Sequence, residues 1–199
     1  MRKGLGRNIM GQILCFISED FADFEITLAF HKIKNVGKKE VLCVGYDSNP
    51  VVSESGLTYK PDLTLNEVME LKDVEGLIIP GGPIRNQQTE LTELIRKLDR
   101  EQKLLAAICN GPQYLGRAGI LANRSYTTSC SAERIIQLGV DDPFPREQYI
   151  EKRVVRDGHV ITAKGRAFVD FSFELFDYMN LYEGRKEERD QLFRDIMDR

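Results

Sequence analysis

Three short runs, ILCFI (13–17), GLIIP (76–80) and LLAAI (104–108), carry no polar side chain, and they limit how this chain can fold. A strand with one solvated face alternates apolar and polar residues. A run that is apolar at every position is buried on both faces. Such strands form the interior of a parallel sheet, whose neighbours must be joined by long crossovers, usually helices. The spacing supplies them. Residues 22–36 carry apolar positions at helical intervals with Gly37 as a stop, 88–102 are helical by pattern, and a further helix spans Pro112–Ala118.

The other segments complete an alternating βαβ reading. EVLCVGY (40–46) is another strand, and a polar stretch containing Ser53-Glu54-Ser55-Gly56 separates VVS and LTYKP, two arms of a small hairpin. A short strand is expected around Tyr126-Thr127-Thr128 and a helix over Ala132–Leu138. KRVVRDGHVITAKG (152–165) reads as a hairpin closed by a type I′ turn at Asp157-Gly158. A long helix over 166–182 and a charged terminal helix close the chain. The expected architecture is α/β: a mostly parallel sheet with helices on both faces and an added antiparallel hairpin.

Composition fits one domain over 1–199, with a core over about 12–182 and a helical extension over 183–199. At 199 residues and 42% hydrophobic content the chain fills a single core. A formal charge of -3 gives no electrostatic footprint for nucleic acid or an anionic membrane. No apolar run approaches the roughly 20 residues of a membrane span. The N-terminus MRKGLGRNIM is basic, but the apolar GQILCFI after it is too short for a signal peptide and runs into acidic residues, so a cytoplasmic location is expected. The cysteines, Cys15, Cys43, Cys109 and Cys130, lack zinc-site spacing and are too few for a disulfide scaffold. No metal or organic cofactor is expected. Cys15 and Cys43 lie inside apolar runs and read as core.

Cys109 differs from them. LLAAI delivers it to Asn110-Gly111-Pro112, a sharp turn into a helix, where free backbone N–H groups and the helix dipole favour a thiolate. From these features its pKa is expected below the ordinary thiol value of about 8.5. Ligands of parallel sheets bind outside the carboxyl ends of the strands, and three features fall there: the acidic segment after the first strand, Gly81-Gly82, and Cys109.

On those residues the chain resembles the ThiJ/PfpI superfamily, the class I glutamine-amidotransferase-like group that includes deglycases, glyoxalases and PfpI-type proteases. The matching pieces are EDFADFE, GLIIPGGP, AAICNGPQYLGRAGIL, the TTS segment at 127–129 and VVRDGHVITAKGRAFVDFSFEL, in the family's order over about 12–180. The resemblance implies a flavodoxin-like fold. It also implies Cys109 as nucleophile, Glu25 as the acidic partner of its sulfur, and backbone N–H groups at Gly82 and Asn110 as an oxyanion hole. A Glu packed beside a thiol has its pKa raised by desolvation and like charge, so the pair shares one proton. Gly81, Gln113, Tyr114, Ser129, Cys130 and Lys164 are further candidates for the pocket, and Lys164 and Arg166 are either cations for an anionic substrate group or solvated charges.

The chain departs from the family at the base. Asn110 stands where PfpI-type proteases carry His, and Ser129 where the deglycases do. The sequence contains two histidines, His31 in the first helix and His159 at a hairpin tip, and neither is expected in the chemistry. Peptide hydrolysis must protonate an amine leaving group, usually through that base, so protease activity is not expected. Addition of sulfur to a small electrophile asks less, and a glyoxalase, deglycase or hydratase-like reaction is the preferred reading. The alternative is a non-catalytic redox sensor or stress-response binding protein, oxidised at Cys109 with Cys130 as a resolving thiol. A third is a structural protein with a relic cysteine. Leu192, Phe193, Ile196 and Met197 share one face of the terminal helix, to pack on the domain or in the homodimer that the resemblance implies.

Overall fold

The computed structural model describes residues 11–198; the basic segment 1–10, read above for a leader, lies outside the described residues, as does Arg199. The chain runs through β1 (Gln12–Phe16), α1 (Phe24–Asn35), β2 (Glu40–Gly45), β3 (Val51–Val52), β4 (Thr58–Tyr59), β5 (Leu63–Thr64), α2 (Leu65–Val68) and β6 (Val74–Ile79). It continues through α3 (Thr89–Arg100), β7 (Leu104–Ile108), α4 (Pro112–Arg117), α5 (Ala132–Leu138), β8 (Val154–Asp157), β9 (Val160–Ala163), α6 (Phe168–Tyr178) and α7 (Lys186–Met197). Seven strands form one sheet in the order β5-β2-β1-β6-β7-β9-β8, parallel except for β8, and β3 pairs with β4 in a separate antiparallel ribbon.

The apolar runs behave as their composition requires. β7 is buried at all five positions because successive side chains enter different cores: Leu105 and Ala107 face one helical layer, Leu104, Ala106 and Ile108 the other. One layer holds α3, whose Leu91, Leu94, Ile95 and Leu98 recur at helical spacing, together with Leu115 of α4 and Ile135 of α5. The other holds Ile26, Ala29 and Ile33 of α1 against Phe171, Leu175 and Phe176 of α6. This is the expected flavodoxin-like three-layer sandwich.

Four local expectations are corrected. Tyr126 makes only an isolated bridge to Tyr149, because the Thr127 N–H and hydroxyl donate to Thr162 Oγ1 (2.9 Å) and the Lys152 carbonyl (2.9 Å) instead of joining a ladder. The 152–165 hairpin pairs Asp157 with Val160, so its loop is Gly158-His159; of the two only Gly158 has positive φ (62°), the pattern of a type II′ turn rather than I′. The helix expected over 166–182 begins as a 3₁₀ turn at Gly165–Ala167 and ends at Tyr178, before Asn180 turns left-handed at φ 52°. β5 and α2 were not expected; Thr64 and Glu67 cap α2 reciprocally, a signal present in the sequence. Leu192 and Phe193 of α7 pack on the domain, Phe193 edge-on to Phe173 at 4.9 Å, whereas Ile196 and Met197 stay 39% and 43% exposed.

Candidate active site

Four neighbouring strands, β1, β6, β7 and β9, end at the same side of the sheet, and each hands one group to a common cleft. Cys109 follows β7 in the left-handed region, φ 61°, which costs a non-glycine residue roughly 1–2 kcal/mol. Its backbone is held on both sides. The Cys109 N–H donates to Ala163 O (2.8 Å), and its carbonyl accepts from Thr128 Oγ1 (2.6 Å) and Ser129 N (2.9 Å). Cys109 itself is half-buried.

Glu25, in the first turn of α1, is 2% exposed and reaches back over the strand ends. Gly81 N–H donates to its Oε2 at 2.8 Å, and its carboxyl lies beside the Cys109 thiol, close enough for each to shift the other's titration. Two glycines make room for this contact. A Cβ on Gly81 would stand 2.5 Å from Glu25 Oε2 and 3.1 Å from Cys109 Sγ; one on Gly165 would stand 2.6 Å from Oε1 and 2.9 Å from Sγ. The pair is thus sandwiched between the ends of β6 and β9, in space that no side chain can share.

Burial, with a smaller contribution from the charge of Glu54, raises Glu25 above the ordinary carboxyl value, although Gly81 N–H and the thiol favour its ionised form. Burial and then the Glu25 charge push the Cys109 thiol up to about 12, against the Ser129 hydroxyl and the Asn110 N–H, which pull it down. The expected depression of the thiol is overturned. A helix terminus contributes about 0.3–1 kcal/mol, less than one decade in acid dissociation, and α4 is only six residues long. Desolvation and a carboxyl in direct contact outweigh it. Both shifts favour the protonated form of each group, because two like charges are costly side by side in this desolvated space.

The cleft above this pair has a volume of about 660 Å³. Gly82, Pro83 and Asn110 form one side, and the Asn110 amide donates to Gly82 O (2.8 Å), tying the two proposed oxyanion segments together. Asp20, Ala22, Phe24, Glu54, Ser129 and Arg166 also line the cleft. Gly165 N–H donates to Ser129 Oγ at 2.9 Å. Among the described residues, no cluster of three His, Cys, Asp or Glu side chains is placed to hold a metal ion.

The remaining candidates lie elsewhere. Gln113 is buried behind the cleft wall, where its carbonyl accepts from Arg85 N and Arg117 and its amide donates to Pro83 O. Tyr114 packs edge-on to Phe16 at 5.4 Å, and Lys164 pairs with Glu151. Cys130 is buried in the helical layer opposite the one that Cys109 touches. His31 is exposed on α1, and His159 is 6% exposed with Nε2 2.8 Å from Asp99 Oδ1, at the other end of the sheet. Sequence reasoning passed over Gly165 and Glu54. A glycine at the carboxyl end of a buried strand, as at Gly81, was the signal for the first; nothing in the sequence pointed to the second.

A family model described as the DJ-1/PfpI family matches residues 11–177. The chain is 31% identical over 157 residues to a protein named deglycase PfpI from Pyrococcus furiosus, covering 77% of this chain and 89% of that one. It is 31% identical over 132 residues to a glutathione-independent glyoxalase from Caenorhabditis elegans, covering 65% of this chain and 67% of the other. A solved DJ-1 superfamily protein from Agrobacterium tumefaciens superposes with a TM-score of 0.78 at 27% identity, over 94% of this chain and 98% of that one. Because the family match runs through every strand of the main sheet and every residue of the cleft, the chain belongs to the DJ-1/PfpI family.

Proposed function

We propose that the protein is a cysteine-dependent enzyme that adds the Cys109 sulfur to a small α-oxoaldehyde, with Glu25 moving the single proton. The observation that carries this reading is the contact between a buried carboxyl and a thiol at a strained turn, under an open cleft. A carboxylate whose pKa is raised toward the working pH is a better general base than an ordinary one, and it replaces the absent imidazole. As sulfur attacks the aldehyde carbon, its proton passes to Glu25. The carbonyl oxygen gains the negative charge beside the Gly82 and Asn110 N–H groups. Glu25 returns the proton to that oxygen, which gives a neutral hemithioacetal. From there the C–H proton of the former aldehyde carbon moves to the neighbouring carbon and its hydroxyl proton to that carbon's oxygen, which gives a thioester. Water then breaks the C–S bond, releasing a 2-hydroxy acid and the Cys109 thiol. Because one carbon is oxidised as its neighbour is reduced, no external redox partner is required.

The names of the Pyrococcus and Caenorhabditis relatives, a deglycase and a glyoxalase, support a small reactive carbonyl as the substrate class. Peptide hydrolysis gains no support, since neither histidine reaches the cleft to protonate an amine. Oxidation of Cys109 as a sensor needs standing thiolate, and a thiol near 12 supplies little. The working unit is taken as a cytoplasmic homodimer, for which the exposed Ile196 and Met197 of α7 provide an apolar surface.

The test is conversion of methylglyoxal to lactate by purified protein. Wild type is expected to form lactate, with loss to background in Cys109→Ser. Equal rates in the two proteins, or no lactate from either, overturn the reading.

A further inference from the structure

Cys15 and Cys43 are direct partners across the parallel pair β1 and β2, register Cys15 to Cys43. Adjacent strands lie about 4.8 Å apart, inside the Cα separation a disulfide requires, roughly 4.4–6.8 Å. Both side chains leave the sheet on the same face, since both touch the layer that contains Ile13, Ile33 and Leu181. The register and the shared face set the two thiols side by side, close enough for each to shift the other's titration. The two differ in access. Cys15 is 2% exposed, while Cys43 is half-buried near the edge of the sheet, where only the short β5 lies beyond β2.

We propose that Cys15 and Cys43 form a redox site separate from the cleft, which a peroxide converts to a reversible disulfide. Cys43, the accessible partner, attacks a peroxide oxygen; the O–O bond breaks, the thiol proton leaves with the released hydroxide as water, and Cys43 becomes a sulfenic acid. The Cys15 sulfur then displaces that hydroxyl, an S–S bond replaces the S–O bond, and a second water departs with the Cys15 proton. Two thiols lose two protons and two electrons, and one peroxide becomes two waters. Access assigns attack to Cys43 and resolution to the buried Cys15, and the titration directions agree: the neighbouring Cys15 thiol lowers Cys43 below its ordinary value, whereas burial raises Cys15 well above it. Tyr59 of β4 lies within electrostatic reach of both sulfurs, so the dithiol sits beside the ribbon that borders the cleft at Glu54.

The test uses Cys109→Ser protein, so that oxidation in the cleft cannot contribute, treated with hydrogen peroxide and read by intact mass. The expected result is loss of two hydrogens per chain, recovered by dithiothreitol and absent when Cys43→Ser is added. Peptide mapping of oxidised wild type supplies a measurement that needs no variant, and is expected to yield a Cys15–Cys43 cross-link. Oxygen retained on Cys43 without a cross-link, a disulfide to any other cysteine, or an unchanged mass overturns the proposal. Lactate formation plays no part in these readouts, so failure here is distinguishable from failure of the cleft chemistry.

Discussion

Glu25 stands where its charge opposes folding and, in the proposed mechanism, serves the reaction. A carboxyl whose folded pKa is raised contributes stability that is complete below its unfolded pKa and is lost as pH rises through the folded one. Burial raises Glu25, so ionising it near neutrality works against the fold. Glu25→Gln removes that charge, leaves an oxygen to accept from Gly81 N–H, and turns an amide donor toward the sulfur. Three results are expected together. The melting temperature rises at about pH 7, and the gap closes as pH falls to about 4, where the wild-type carboxyl is protonated in both states. Iodoacetamide labelling of Cys109 moves to lower pH, because the like charge that helps hold the thiol near 12 is gone. Lactate formation falls by about 10²–10⁴, the usual value of a general base. A labelling profile that does not move would show the two groups to be uncoupled. The sequence made both partners of this pair legible, through the strand-to-turn pattern at Cys109 and the resemblance at Glu25. It misled on the sign of the thiol shift, because helix termini can be read from order along the chain while desolvation by Gly81, Gly165 and Glu25 depends on three distant segments meeting.

At the scale of elements, the β3–β4 ribbon is fixed to the loop between β1 and α1 by one buried carboxylate. Asp23 accepts from Ser53 Oγ (2.9 Å), Ser55 Oγ (2.6 Å) and Tyr59 OH (3.0 Å), while Phe21 stacks edge-on against Tyr59 at 5.0 Å. Glu54, at the ribbon's tip, donates its N–H to Phe21 O and so reaches the cleft mouth. Asp23→Ala leaves these hydroxyls without their acceptor and is expected to cost about 1.5–3 kcal/mol. The effect should be local: amide exchange accelerates over residues 51–59 with β6 and β7 unaffected, and exchange that speeds uniformly would refute the staple. Burial alone would raise Asp23, but the bonds from Ser55, Ser53 and Tyr59 prevail and hold it below its ordinary value. A depressed carboxyl gives stability that is present above its unfolded pKa and lost as pH falls through the folded one, so the ribbon stays anchored at neutral pH and loosens only in acid. The sequence revealed the ribbon but not the staple. Its donors are 30 to 36 residues from Asp23, and only the folded loop brings them together.

Across the whole molecule, the two ends of the sheet do different work. The carboxyl ends of β1, β6, β7 and β9 carry the cleft, and the amino ends of β7 and β9 meet a polar cluster in which Asp99 accepts from both His159 Nε2 (2.8 Å) and Arg124 (2.9 Å). The apolar runs predicted this polarity, since parallel strands put all their carboxyl ends on one side. They could not say which end His159 would occupy in three dimensions, because a hairpin tip reads as exposed, whereas this one folds its imidazole under α3 to 6% exposure. The division yields an expectation that separates stability from chemistry. His159→Ala deletes one of two partners of a partly buried carboxylate and opens a small void, and should lower stability by about 1–3 kcal/mol in urea unfolding. Because the β7 and β9 strands lie between this cluster and Cys109, kcat and KM for methylglyoxal should match wild type below the melting transition. Should kcat instead drop tenfold or more in protein whose unfolding midpoint is unchanged, His159 would have to reach the reacting atoms, and the assignment of proton transfer to Glu25 alone would fall.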